Sequence, residues 1–181
     1  MKAVRLVILA GVLIACGGVA LVLDRQYGSP SSNPHPESGI SSAAFMATSF
    51  PDLAGRQQAL GQWQGKLLVI NFWATWCAPC REEMPALNRL HLKYAANGLQ
   101  IVGIAADSAD KVMQFSKEVD LAYPLLVDNG AAMEFSRRLG NRLGLLPHTV
   151  MVGSDGRRIF SRLGVIQEKE FEILIMQNLP K

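Results

Sequence analysis

Two cysteines three positions apart, Cys77 and Cys80, lie in the string FWATWCAPCREEMP (residues 72–85) beside two tryptophans, two prolines and two adjacent acids. Such a pair can clip a metal, staple a loop, or cycle between dithiol and disulfide. A structural zinc site needs two further ligands at matching spacing. The chain has no second cysteine pair, and its histidines, His35, His91 and His148, are scattered; no metal is expected. A staple is the harder alternative to set aside, although closing so short a loop stabilises little. The flanking sequence favours the working dithiol. LLVINFWA before the pair is a continuous apolar run, a buried strand, and a helix is expected from about residue 78 to residue 96. Where a strand ends and a helix begins, unpaired N–H groups and the helix dipole stabilise a thiolate on the outer sulfur, Cys77. Cys80, one turn in, is the more buried, resolving sulfur. Pro79 fits the first helical turn, where its missing N–H costs little.

The elements that position this pair follow from pattern. FPDLAGRQQALGQWQGK carries turn signals at Gly55 and Gly65 and reads as a short hairpin. LQIVGIAA is a second buried strand. DSADKVMQFSKEV is an amphipathic helix with Asp107 or Ser108 as its N-cap. AYPLLVD, HTVMV and IFSRLG read as strands, AAMEFSRRLG and residues 167–178 as helices. Strands alternating with helices, closed by a hairpin and a helix, give an α/β three-layer sandwich around a central mixed β-sheet.

Ahead of this domain, assigned to residues 50–181, come three segments. Residues 1–5 form a short cytoplasmic region containing Lys2 and Arg5. Residues 6–23, LVILAGVLIACGGVALVL, hold no charge over eighteen positions, enough for about 27 Å of helix. They read first as a transmembrane anchor. A lipoprotein signal with LIAC ending at Cys16, and a cleaved signal ending near Ala20, are the alternatives. The basic residues on the N-terminal side put the N-terminus in the cytoplasm and the rest outside, in the periplasm or its equivalent. Residues 24–49 form a flexible linker, since eleven of the fifteen residues from Gly28 to Ser42 are Gly, Pro or Ser. Setting aside Lys2 and Arg5, 16 of the 18 basic residues face 15 acidic ones. That balance, without a basic run, excludes nucleic acid as a partner.

VINFWATWCAPCREEMPAL, followed some sixty residues later by LPHTV, resembles the TlpA/ResA family of membrane-anchored, thioredoxin-fold thiol–disulfide oxidoreductases. The resemblance implies a thioredoxin-like sandwich with an inserted strand–helix element, which AYPLLVDNGAAMEFSRR would supply. It also implies an extracytoplasmic reductant of protein disulfides, often in cytochrome c maturation, recharged by a membrane electron-donor thiol–disulfide carrier. No cofactor is expected. Residue by residue, it makes Cys77 the attacking and Cys80 the resolving thiol. Trp76 becomes a docking surface beside the sulfurs, and Trp73 a core residue. Glu83, three residues after Cys80 on one helix face, becomes the acceptor of the Cys80 proton. The alternative for Glu82 and Glu83 is that both are acids suited to a helix start. Pro85 is expected to kink the helix. Pro147 resembles the family's cis-proline, with the Leu146 backbone pairing with an extended substrate segment. Two positions depart from thioredoxin: Asn71 replaces a buried aspartate, and His148 replaces a threonine. His148 either tunes the thiolate or lines the rim of the substrate site. Two rival functions share these residues. A disulfide-introducing oxidase differs only in the direction of flow. A copper-handling chaperone would need His148 as an additional ligand.

Overall fold

Seven consecutive apolar or amide residues, LLVINFW, form strand β3 (Leu67–Trp73), every one of them buried. A strand buried on both faces must be central, with a packed layer on each side. The computed structural model describes residues 40–181 of the chain and bears this out. The apolar segment 6–23 and residues 1–5 and 24–39 lie outside the described residues. Among the described residues no helix is long and apolar enough to cross a membrane.

In chain order the described elements are α1 (Ser42–Ala47), the hairpin strands β1 (Ser49–Pro51) and β2 (Gln57–Ala59), then β3 and α2 (Ala78–Tyr94). They continue with β4 (Leu99–Ala105), α3 (Ala109–Ser116), β5 (Leu125–Val127), α4 (Asn129–Arg138), β6 (His148–Val152), β7 (Arg158–Leu163) and α5 (Glu168–Asn178). The five-stranded sheet runs β5-β4-β3-β6-β7. β4 pairs parallel with β3 and β5; β6 pairs antiparallel with β3 and β7. The sheet is mixed, and the fold is thioredoxin-like α/β.

Residues two apart on a strand share a face, and β3 sorts its neighbours accordingly. Leu67, Val69 and Trp73 face the layer of α2, α3 and α5, with Met84, Leu87, Val112, Phe171 and Ile175. Leu68, Ile70 and Phe72 face the opposite layer, with Phe50, Leu60, Ala132, Phe135 and Leu139. Each Leu, Ile or Phe so enclosed contributes about 1.5–3 kcal/mol. At the surface, α2 and α5 are also tied by Arg89–Glu168 at 2.6 Å and Lys93–Glu172 at 2.7 Å. These exposed pairs add little beside the apolar contact.

One expectation needs correction. Residues 42–49, assigned above to the linker, are structured: Ser41 Oγ accepts from Ala44 N at 3.3 Å and opens α1. Phe45 is buried and its ring lies 5.8 Å from that of Phe135. The serines of the segment mark a helix cap rather than the continuation of a tether, because AAFMA supplies an apolar face with a place to go.

Candidate active site

β3 ends at Trp73, and Ala74 to Trp76 carry the chain to the start of α2. Cys77 is the N-cap residue of that helix: its backbone is extended (φ −86°, ψ 97°) and its Sγ accepts from Cys80 N at 3.3 Å. Pro79 stands in the first turn, as the sequence requires. The two sulfurs are joined as a disulfide. Cys80 is fully buried, and Cys77 is nearly so. Trp76, by contrast, is 69% exposed immediately before Cys77, while Trp73 is wholly buried.

Buried positions on α2 fall at Cys80, Glu83, Met84, Leu87, Leu90 and His91, a helical stripe that faces the sheet. Glu83 therefore follows Cys80 inward by three residues on the same face, and only 2% of it is exposed. Both carboxylate oxygens have partners. Asn71 Nδ2 donates to Oε1 at 2.7 Å, and the Ile166 backbone N–H donates to Oε2 at 3.0 Å. Asn71 also donates to Thr149 Oγ1 at 3.0 Å, the residue opposite it on β6. Burial pushes the Glu83 carboxyl above the ordinary glutamate value, and the two hydrogen bonds and the charge of Arg162 offset this only in part. Glu82 is exposed and lies beyond the first turn of α2, which carries no acid, so it is not a helix-start acid. Close by, a Cβ on Gly103 would meet Leu125 Cδ2 at 2.9 Å and Trp73 Nε1 at 3.1 Å. Glycine there lets Trp73 and Tyr123 close over the sheet beside Asn71.

Sequence reasoning missed the anchor of the cysteine loop. Of the two cap candidates, Ser108 takes the N-cap position of α3, and Asp107 turns toward Thr75. Its Oδ2 accepts from Thr75 Oγ1 at 2.5 Å and from Thr75 N at 3.2 Å, while Oδ1 accepts from Ser108 N at 2.8 Å. Burial opposes ionisation of Asp107, yet these hydrogen bonds and Lys111 outweigh it and hold the carboxyl below the usual aspartate value. The available signal was an acid at the end of the strand that pairs in parallel with β3.

The Leu146–Pro147 peptide bond is cis, and Pro147 O accepts from Gly164 N at 2.8 Å. Because His148 pairs with Phe72, Leu146 and Pro147 lie beside the end of β3 from which the cysteine loop departs. Leu146 packs against the cluster that contains both cysteines. His148 does not join the site. It shares the face of Phe72, on which its ring stacks at 5.5 Å, and is 0% exposed. Its Nδ1 lies 2.8 Å from Ser136 Oγ and its Nε2 3.0 Å from Ser161 Oγ. Burial, with Arg158 nearby, lowers its pKa to about 4. The expectation that it tunes the thiolate or lines the rim is thus corrected: strand parity sends it to the opposite face. With both ring nitrogens engaged there, it is no ligand for the cysteines, and the copper reading loses its additional donor.

A buried strand, a dithiol at a helix N-cap and a cis-proline beside it are the parts of a thiol-exchange centre. The family model for Redoxin matches residues 40–174. The chain belongs to the Redoxin family. It is similar to the thiol–disulfide oxidoreductase ResA of Bacillus thuringiensis subsp. konkukian, 33% identical over 169 residues, 93% of this chain and 92% of that one. A ResA of Bacillus cereus is 31% identical over 170 residues, again 93% and 92%. Among solved structures, a thioredoxin-related protein from Neisseria meningitidis serogroup B is 30% identical with a TM-score of 0.64, covering 71% of this chain and 97% of its own. A thiol:disulfide interchange protein of Chlorobium tepidum, at 22% identity and a TM-score of 0.65 over 72% and 92%, shares the fold. This Redoxin-family chain is a thioredoxin-like thiol–disulfide oxidoreductase of the ResA type, with Cys77 and Cys80 as its redox pair and disulfide-bearing substrates.

Proposed function

We propose that the protein is an extracytoplasmic reductant of protein disulfides, tethered to the membrane by residues 6–23 and recharged there by a thiol–disulfide carrier. The observation that carries the mechanism is the buried Glu83, one helical turn inward from Cys80 with its carboxyl raised by burial. An acid that is harder to ionise is a better proton acceptor near neutral pH.

In the reduced enzyme the Cys77 thiolate, favoured by the N-terminus of α2, attacks one sulfur of a substrate disulfide. That S–S bond breaks, a Cys77–substrate disulfide forms, and the departing substrate sulfur takes up a proton. Glu83 then accepts the proton of Cys80. The Cys80 thiolate attacks Cys77 Sγ, the mixed disulfide breaks, and the second substrate sulfur leaves and is protonated. Substrate has gained two electrons, and the enzyme holds the Cys77–Cys80 disulfide seen here. Reduction of that disulfide by the membrane carrier closes the cycle. Trp76 offers the apolar surface on which substrate settles, and the Leu146 backbone beside Pro147 pairs with an extended segment around its cysteine. Cytochrome c precursors, whose haem-binding cysteines must be reduced before attachment, are the substrates that the family resemblance suggests.

Cys80→Ala in the full chain, expressed in its own membrane, tests this reading. Substrates should accumulate as mixed disulfides on Cys77 and vanish on reduction or in the Cys77→Ala variant. Absence of any such adduct, or its persistence without Cys77, would overturn the proposal.

A further inference from the structure

The loop between α4 and β6 (residues 139–147) is anchored near its ends by apolar packing of Leu139 and Leu146, but apolar burial does not hold its middle in place. Leu143 is 76% exposed and Leu145 52% exposed. Between those ends, the Leu145 backbone is fixed by one fully buried amide, that of Asn141. Asn141 Nδ2 donates to Leu145 O at 2.7 Å and to Ser136 Oγ at 2.9 Å, while its Oδ1 accepts from Leu145 N at 2.9 Å. Both polar groups of the Leu145 backbone are therefore tied to one side chain, and both amide hydrogens of Asn141 are used. Asn141 is itself held by its own N–H on Ser136 O at 3.1 Å, and its carbonyl accepts from Gly144 N at 3.0 Å. From Ser136 the row continues to His148 Nδ1 at 2.8 Å, and from His148 Nε2 to Ser161 Oγ at 3.0 Å. Leu145 immediately precedes the Leu146–Pro147 pair and His148 immediately follows it, so this buried row grips the pair from both ends.

We infer that Asn141 is a positioning residue for substrate: it holds the Leu146 main chain in line for an incoming extended disulfide segment. Asn141 reaches neither sulfur in the contacts above and acts only through Leu145 and Leu146. It therefore governs substrates that dock along a strand and leaves small disulfides, which need only the Cys77 sulfur, unaffected. Satisfied buried networks of this kind fix one local geometry, and their partial loss loosens it. This inference rests on the reading of Leu146 as the docking segment proposed above.

The test compares insulin with 5,5′-dithiobis(2-nitrobenzoate) as substrates, with dithiothreitol as the electron donor for insulin. Asn141→Ala should raise KM for insulin about tenfold with kcat changed less than about twofold, a loss confined to docking. Its rate with the small disulfide should stay within about twofold of the parent. Ser136→Ala, which leaves both Leu145 bonds in place, should raise the insulin KM about threefold, and it decides the matter if Asn141→Ala does not fold. An unchanged insulin KM, or equal losses on both substrates, would overturn the role of Asn141. Pro147→Ala separates the two readings. If it too leaves the insulin KM unchanged, the docking reading itself has failed. If it raises KM while Asn141→Ala does not, docking stands and the clamp falls.

Discussion

Glu83→Gln tests the proton step of the cycle. The substitution keeps the length of the side chain and one carbonyl acceptor, which can retain the bond from Ile166 N, 3.0 Å from Oε2, while the new amide NH2 replaces the oxygen that Asn71 reaches at 2.7 Å. It removes the ability to take a proton. General-base assistance is worth roughly 10²–10⁴ in rate. Because the Cys80 thiol retains some ionisation of its own, the lower end applies, about 100-fold or about 2.7 kcal/mol. The assay is rapid mixing of reduced enzyme with excess 5,5′-dithiobis(2-nitrobenzoate). The first thionitrobenzoate reports attack by Cys77 and varies with reagent concentration. The second reports displacement by Cys80 and does not. Glu83→Gln should leave the first phase nearly unchanged and slow the second about 100-fold. The parent's second phase should also accelerate as pH rises through the raised Glu83 value, and the variant should lack that limb. The same shift has a stability signature. A carboxyl with a raised folded value binds protons more readily native than unfolded, so its contribution is greatest at low pH and falls as pH rises through the folded value. The variant should lose that decline. A second phase within about threefold of the parent from about pH 5 to pH 9 would refute Glu83 as the acceptor.

Asp107→Ala strips Thr75 of both its bonds and should cost about 1–3 kcal/mol in urea melts, while slowing the Cys77 phase several-fold as the cysteine loop loosens. The Asp107 carboxyl lies below its ordinary value, so its share of stability is present above the unfolded value and is lost as pH falls through the folded one; parent and variant should converge in acid. His148, with a folded value of about 4 against an ordinary value near 6.5, is protonated more readily unfolded. The parent should therefore lose about 2 kcal/mol of stability between pH 7 and pH 5, and His148→Asn should lack most of that slope.

Much of this architecture was legible because buried strands and amphipathic helices leave strong patterns. LLVINFW and LQIVGIA have no polar face to misassign, and Gly98 (φ +94°) closes the α2 region where the sequence placed its end. The dithiol was legible from its local string, and the cis-proline only through the family resemblance. What escaped were effects of register and long-range polar pairing. His148 follows Pro147 directly, and proximity in sequence suggested proximity to the sulfurs. Its side was decided by antiparallel pairing with Phe72, which no local string records. Ser108 takes the cap that the sequence offered to it or to Asp107, whereas the partner of Asp107, Thr75, is thirty-two residues away and leaves no local trace. Likewise, the serine-rich stretch before Phe50 hid α1, whose Phe45 finds its partner only once α4 has folded onto the same face.

The most direct test of the central claim is alkylation of the fully reduced protein at mildly acidic pH, with each cysteine followed by peptide mapping. The account predicts that Cys77 is labelled at least about tenfold faster than Cys80 and faster than an ordinary free thiol. Equal labelling of the two, or a Cys77 no faster than a model thiol, would contradict it.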